Sequence, residues 1–151
     1  MKTRRDMLAS SAKVAALLAG AGLLPQAALA WTQSAFEARS VADAIKALGG
    51  GAPTASTEVT ITGPDIAENG AVVPVGVSTS LPGVKRLAVL VEKNPSTLAA
   101  VFDVSDAVDA NFNTRVKMGQ SSNVLAVALM ADGRVLYAQK EIKVTLGGCG
   151  G

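Results

Sequence analysis

Between the apolar run Val124 to Met130 and the alternating segment beginning at Arg134 stands Asp132-Gly133, a dipeptide that favours folding a chain back on itself in a two-residue hairpin turn. In the second arm of that hairpin, Leu136, Ala138, Ile142, Val144 and Leu146 share one face and Gln139, Glu141, Lys143 and Thr145 the other, the period of a half-buried strand. The same punctuation continues upstream. Strand-like runs fall at about Glu58 to Thr62, Ala71 to Thr79, Lys85 to Glu92, Leu98 to Phe102, Asn113 to Met118, Ser122 to Ala131 and Arg134 to Leu146, parted by Pro, Gly, Asn and Asp. Seven short strands at a spacing of roughly ten residues, with no helix between them, predict a mainly β fold, an immunoglobulin-like antiparallel sandwich.

One helix precedes the strands. Ser34 and Glu37 have capping-box spacing, and Phe36, Val41, Ala44, Ile45 and Leu48 recur at helical intervals until Gly49-Gly50-Gly51 stops the pattern. An amphipathic helix over about 34–48, packed at one end of the sandwich, is expected, with a flexible stretch from Gly49 to Ser56 after it.

Residues 1–30 read as an export signal. Lys2, Arg4 and Arg5 precede the apolar run Val14 to Leu24, then Pro25 and the small-residue cleavage pattern Ala28-Leu29-Ala30, so cleavage would leave Trp31 first. The run is shorter than the roughly 20 residues that a bilayer span needs, which argues against a membrane anchor. Thr3-Arg4-Arg5-Asp6-Met7-Leu8 resembles the twin-arginine (Tat) signal, with an ordinary secretory signal as the alternative. Either route leads to the periplasm. The domain would then be residues 31–146, followed by a tail of 147–151.

Four of the 14 Lys and Arg and one of the 12 Asp and Glu fall before residue 31, which leaves ten against eleven and a net charge of −1. No basic patch recommends nucleic acid or an anionic membrane as a partner. The chain has no histidine, the commonest metal ligand and general base, so metal, haem and Ser-His chemistry are poor fits and no cofactor is expected. With one cysteine there is no internal disulfide, which is unusual for a chain bound for an oxidising compartment.

That cysteine sits in Gly147-Gly148-Cys149-Gly150-Gly151. Extended, the three residues beyond Leu146 carry the sulfur on the order of 10 Å from the sheet, and the flanking glycines let a narrow pocket close around it. A free thiol ionises near pH 8.5, and nothing adjacent in sequence supplies the cations or helix terminus that would lower this. A self-sufficient thiol enzyme is therefore a poor reading. A tethered group presented to other proteins' active sites fits better, and makes the chain a substrate rather than an enzyme. Two other uses stay open: a structural β-sandwich module assembled through an intermolecular disulfide, and a disordered terminus that happens to hold a cysteine.

The tail Val144-Thr145-Leu146-Gly147-Gly148-Cys149-Gly150-Gly151 resembles the terminus of SoxY, the sulfur-carrier subunit of the bacterial Sox thiosulfate-oxidising system. Ile66-Ala67-Glu68-Asn69-Gly70, Val73-Pro74-Val75, Glu92-Lys93-Asn94-Pro95 and Arg115-Val116-Lys117-Met118 resemble that family's landmarks in the same order. The resemblance implies an immunoglobulin-like sandwich paired with a SoxZ subunit as a heterodimer, with the twin-arginine signal on this chain alone. It implies that haem-containing SoxAX couples thiosulfate oxidatively to Cys149 and that SoxB releases sulfate from the conjugate. A sulfane dehydrogenase is a further implied partner, acting on the sulfur that remains. Cys149 would be the covalent attachment atom, with Gly147, Gly148, Gly150 and Gly151 as a swinging arm and the bound sulfur as the only prosthetic group.

Read from the residues alone, the landmarks are plainer. Asn69-Gly70 and Asn94-Pro95 form turns, Pro74 suits an edge strand or a bulge, and Arg115 and Lys117 alternate with Val116 and Met118 as a solvated strand face. An electropositive collar for the anionic conjugate is the sharper alternative for the two cations. The apolar strands Val84 to Val91 and Val124 to Met130 are candidate partner faces if they are not core.

Overall fold

The computed structural model describes residues 33–147, together with Leu8 and Lys13. The other residues of 1–32, where the expected export signal falls, and Gly148, Cys149, Gly150 and Gly151 lie outside the described residues. Two short helices, α1 (Gln33–Phe36) and α2 (Val41–Ala47), precede nine strands: β1 (Pro53–Ala55), β2 (Val59–Thr62), β3 (Ile66–Ala67), β4 (Val73–Thr79), β5 (Val84–Val91), β6 (Leu98–Asp103), β7 (Asn111–Val116), β8 (Ser122–Met130) and β9 (Val135–Val144). The larger sheet runs β1-β9-β8-β5-β6, with β3 also on β9, and the smaller runs β2-β4-β7.

This is the expected sandwich, and all seven expected strands are present. β1 and β3 are additions, and both pair parallel to β9, so the larger sheet is mixed at that edge rather than wholly antiparallel. Short as they are, their backbone groups are satisfied by an existing edge, which composition alone does not signal.

β8 explains the packing. Val124, Ala126, Ala128 and Met130 face the smaller sheet and join Leu87, Val89 and Val91 of β5 and Val73, Val75 and Val77 of β4. The alternate residues Leu125, Val127 and Leu129 face the other way and meet Ala35, Ala44, Ile45 and Leu48 of the helical segment. The helices therefore cover the outer face of the larger sheet instead of sitting at one end. Burying a side chain such as Ile45 there contributes about 1.5–3 kcal/mol. Val84 to Val91 and Val124 to Met130 are core strands, not a free face for a partner.

The single helix expected over 34–48 is broken. Ser96 Oγ donates to the Phe36 carbonyl and the Thr97 N–H donates to the Ala38 carbonyl at 3.0 Å, so two carbonyls that would continue α1 are taken by the β5–β6 turn. The chain restarts at Ser40, whose Oγ accepts from the Asp43 N–H at 3.1 Å and donates to Asp43 Oδ2 at 2.7 Å. Ser40 rather than Ser34 is the cap.

The β8–β9 turn also differs from the two-residue form. Met130 N–H donates to the Arg134 carbonyl at 2.9 Å and Gly133 N–H to the Met130 carbonyl at 3.1 Å, with Gly133 at φ +90°. That is a three-residue loop closed by a left-handed glycine.

Candidate functional site: the root of the cysteine arm

β9 ends at Val144, and the chain is then held through Leu146 by neighbours on two segments. The Val144 N–H donates to Ser121 Oγ at 2.8 Å. Thr145 N–H donates to the Ala67 carbonyl at 3.1 Å, and Thr145 Oγ1 to the Glu68 carbonyl at 3.1 Å. The Leu146 carbonyl accepts from the Gly70 N–H at 2.8 Å, while the carbonyl of the same Gly70 accepts from the Met118 N–H at 2.7 Å. One buried glycine thus links the end of the last strand to the loop after β7.

That loop is shaped from its other side by Asn94. Its Nδ2 donates to the Lys117 carbonyl at 2.6 Å, and its Oδ1 accepts from the Gly119 N–H at 3.2 Å. The orientation of the amide follows from its partners, since a carbonyl only accepts and an N–H only donates. Gly119 in turn abuts Gly147: a Cβ at Gly147 would lie 2.5 Å from the Gly119 carbonyl oxygen. Gly147 is outside the left-handed region, where the positive-φ glycines are Gly49, Gly83 and Gly133. It is a glycine because backbone passes close to backbone, a reason different from the conformational freedom expected of it.

Three sequence landmarks therefore meet at one place. Ile66 to Gly70 binds residues 145–146, Asn94 holds residues 117–119, and Met118 closes the circuit through Gly70. The turn-forming role of Asn69 is also real, with Oδ1 accepting from the Ala71 N–H at 2.9 Å, but the sequence reading gave Asn94, Gly70 and Ser121 no part in placing the arm. Their signal is long-range, and only the end of the Arg115–Met118 alternation at Gly119 hints at it. Pro74 is not on an edge strand, because β4 lies between β2 and β7: it stands beyond the last β2–β4 pair, Thr62 with Gly76, and on its other side is in register with Arg115 of β7.

Arg115 and Lys117 are exposed while Val116 and Met118 are buried, the solvated-face arrangement. Ile66, Val72 and Leu146 are exposed apolar residues on the segments at the root. Lys140 Nζ meets Asp65 Oδ1 at 2.5 Å, and that hydrogen bond, with the ammonium charge, holds the Asp65 carboxyl below its ordinary range. The Lys143 N–H donates to the Asp65 carbonyl at 3.0 Å, so the pair clips the start of β3 to β9.

The root is not a pocket. A polar concavity of about 680 Å³ lies at the opposite end, lined by residues including Glu58, Ser80, Asp106 and Asp109, none of which touches the root. Among the described residues no three His, Cys, Asp or Glu are placed to hold a metal, and no helix is long and apolar enough to cross a membrane. The expected attachment atom, Cys149, with Gly148, Gly150 and Gly151, lies beyond the described residues, so of the arm only Gly147 has a described position.

The comparisons with known proteins agree with this geometry. The family described as "Sulfur oxidation protein SoxY" matches residues 45–149. The chain belongs to the SoxY family. A solved SoxY sulfur carrier protein from Chlorobium limicola f thiosulfatophilum is 34% identical, with a TM-score of 0.60 over 68% of this chain and 92% of that one. Superoxide reductase (neelaredoxin) from Ignicoccus hospitalis is 18% identical with a TM-score of 0.51, covering 57% of this chain and 79% of that one, which is a likeness of fold alone. None of the curated proteins matches by sequence. Membership of the SoxY family makes this chain a sulfur carrier within a Sox sulfur-oxidising system.

Proposed function

We propose that this SoxY protein carries thiosulfate-derived sulfur covalently on Cys149, in the periplasm, as one subunit of a heterodimer with SoxZ. The observation that supports the reading most directly is the root. Residues 144–147 are fastened to the body by hydrogen bonds and close packing from two segments, 66–70 and 117–121, and the family's cysteine follows two residues later. A thiol two residues beyond a fixed point stays within a short reach of it, which suits presentation to a partner's active site.

The chemistry needs nothing from this chain except the sulfur. SoxAX removes two electrons as the Cys149 thiol and thiosulfate join through a new S–S bond, and the thiol proton leaves to solvent. SoxB then adds water across the terminal sulfone linkage, which releases sulfate and two protons and leaves Cys149 as a persulfide anion. A sulfane dehydrogenase would oxidise that remaining sulfur. The absence of histidine from the sequence is in keeping with a passive role in these steps.

Reconstitution tests the proposal. Wild-type protein with its partner subunit, loaded with thiosulfate by the haem protein, should release sulfate on addition of the hydrolase, and Cys149→Ser should release none. Equal sulfate from both would remove Cys149 from the reaction. Export is tested separately: replacing Arg4 and Arg5 by lysine should leave the protein unprocessed in the cytoplasm, whereas normal periplasmic accumulation would refute the twin-arginine route.

A further inference from the structure

We infer that Asn94 is a positioning residue for the carrier arm, acting through the 117–119 loop on Gly147. The inference rests on the carrier reading and adds to it where the arm's fixed part ends and what fixes it. Among the described residues, the side-chain hydrogen bonds of Asn94 go to the 117–119 loop and not to Gly147. Both polar ends of its side chain are committed to the backbone on either side of Met118, at 2.6 and 3.2 Å. Met118 itself is fully buried, and its N–H is bound to Gly70. The loop is therefore held at three consecutive residues: by Asn94 at Lys117, by the core and Gly70 at Met118, and by Asn94 again at Gly119.

The held loop presents the Gly119 carbonyl to Gly147 so closely that no side chain fits at that position. Gly147 thus belongs to the root. The tether from this fixed point to Cys149 is then two residues, at most roughly 7 Å of chain, instead of three. A shorter tether confines the sulfur to a smaller volume and raises its effective concentration in a partner site that fits, and lowers it sharply in one that does not. Loosening the 117–119 loop lengthens the effective tether and blurs its direction.

The experiment uses the full mature chain in complex with its partner subunit, loaded with thiosulfate, and compares wild type, Asn94→Ala and Gly147→Ala. Asp106→Ala, at the opposite end, serves as control. Two rates are read: release of sulfate by the hydrolase, and alkylation of the unloaded Cys149 by iodoacetamide, a reagent small enough to find the thiol wherever it points. Asn94→Ala and Gly147→Ala should each lower kcat/KM for sulfate release about tenfold or more, the scale expected for misplacing a reacting group by about 1 Å, with alkylation unchanged. Asn94→Asp should not rescue, because it keeps the acceptor for Gly119 N–H but sets a carboxylate against the Lys117 carbonyl.

Wild-type kcat/KM in Asn94→Ala would overturn the inference, and so would a parallel fall in alkylation, which would report altered exposure of the thiol rather than its placement. Should Asn94→Ala fail to fold, Gly147→Ala interrogates the same contact from the other side. Failure of the carrier reading looks different: wild-type protein itself would then release no sulfate.

Discussion

At one end of the sandwich the loops 80–83, 104–110 and 131–134 combine local closures, such as Val108 N–H to Ser105 and Gly133 N–H to Met130, with a few longer ties, Ala131 N–H to the Gly83 carbonyl and Thr79 Oγ1 to the Glu58 carbonyl. At the other end, segments 66–70, 94 and 117–121 are tied to the last residues of β9 and to one another, with side chains of Asn94, Ser121 and Thr145 bonding to backbone far away in sequence. The first end holds the wide polar concavity, and the second has the cysteine's root. The ties at the second end surround the point from which the tail departs, the arrangement that the proposed presentation of Cys149 to other enzymes calls for.

Perturbations at the two ends should therefore separate stability from transfer. The largest stability effect is expected at Met118, which is fully buried at the root: Met118→Ala should cost about 2–5 kcal/mol in denaturant unfolding, whereas exposed Val108→Ala at the far end should stay within about 0.5 kcal/mol. If the two cost the same, the root is not packed as described.

A sharper contrast comes from two glycines. Gly133→Ala at the far end has open space for the methyl but a backbone at φ +90°, so it should cost about 1 kcal/mol of stability and leave sulfate release untouched. Gly147→Ala has the reverse signature, a transfer defect with a smaller stability change, because an exposed terminal segment can shift when crowded. Kinetics and unfolding measured on the same two variants decide it.

Each end also has a carboxylate held below its ordinary value of 3.8, Asp65 by Lys140 and Asp132 by hydrogen bonds from Arg134. A lowered folded-state pKa stabilises above the unfolded value and is lost as pH falls through the folded one, so both contributions should fade only below about pH 4. Asp65→Asn and Asp132→Asn should each flatten the acid limb of the stability curve, weakly and less so in high salt, since both groups are exposed. Only the Asp65 variant should also loosen the root, seen as faster amide exchange at Lys143, whose N–H the Asp65 carbonyl accepts. The smallest effect is at Thr97, whose buried hydroxyl has no hydrogen-bond partner: Thr97→Val should raise stability by up to about 1 kcal/mol with no change in transfer.

Much of this architecture was legible in the sequence because it depends on local pattern. Alternation in Leu136 to Val144, the runs at 73–79 and 84–91, and the turn residues between them specify strands whatever else happens. The helix was legible as an amphipathic segment, but not its break, since Ser96 and Thr97 capture the carbonyls of Phe36 and Ala38 from some sixty residues away. β1 and β3 escaped for the same reason, each being two or three residues that pair only because β9 offers an edge. At the functional end, the cysteine and its glycines were visible at once, while the reason for Gly147 was not. A glycine required by a neighbouring carbonyl and one required for freedom are the same letter, and the neighbour, Gly119, is known only after folding. Asn94 likewise read as a turn former because its two partners lie after another strand.

The central claim is that sulfur resides on Cys149 during turnover. Trypsin cleavage after Lys143 releases Val144 to Gly151, a peptide containing the cysteine and the whole arm. Its mass should be measured from protein recovered during thiosulfate oxidation, before and after a thiol reductant. The account predicts reductant-sensitive additions matching thiosulfate or sulfane sulfur on that peptide. A peptide recovered only as the bare thiol, or only cross-linked to a second copy of itself, would contradict it.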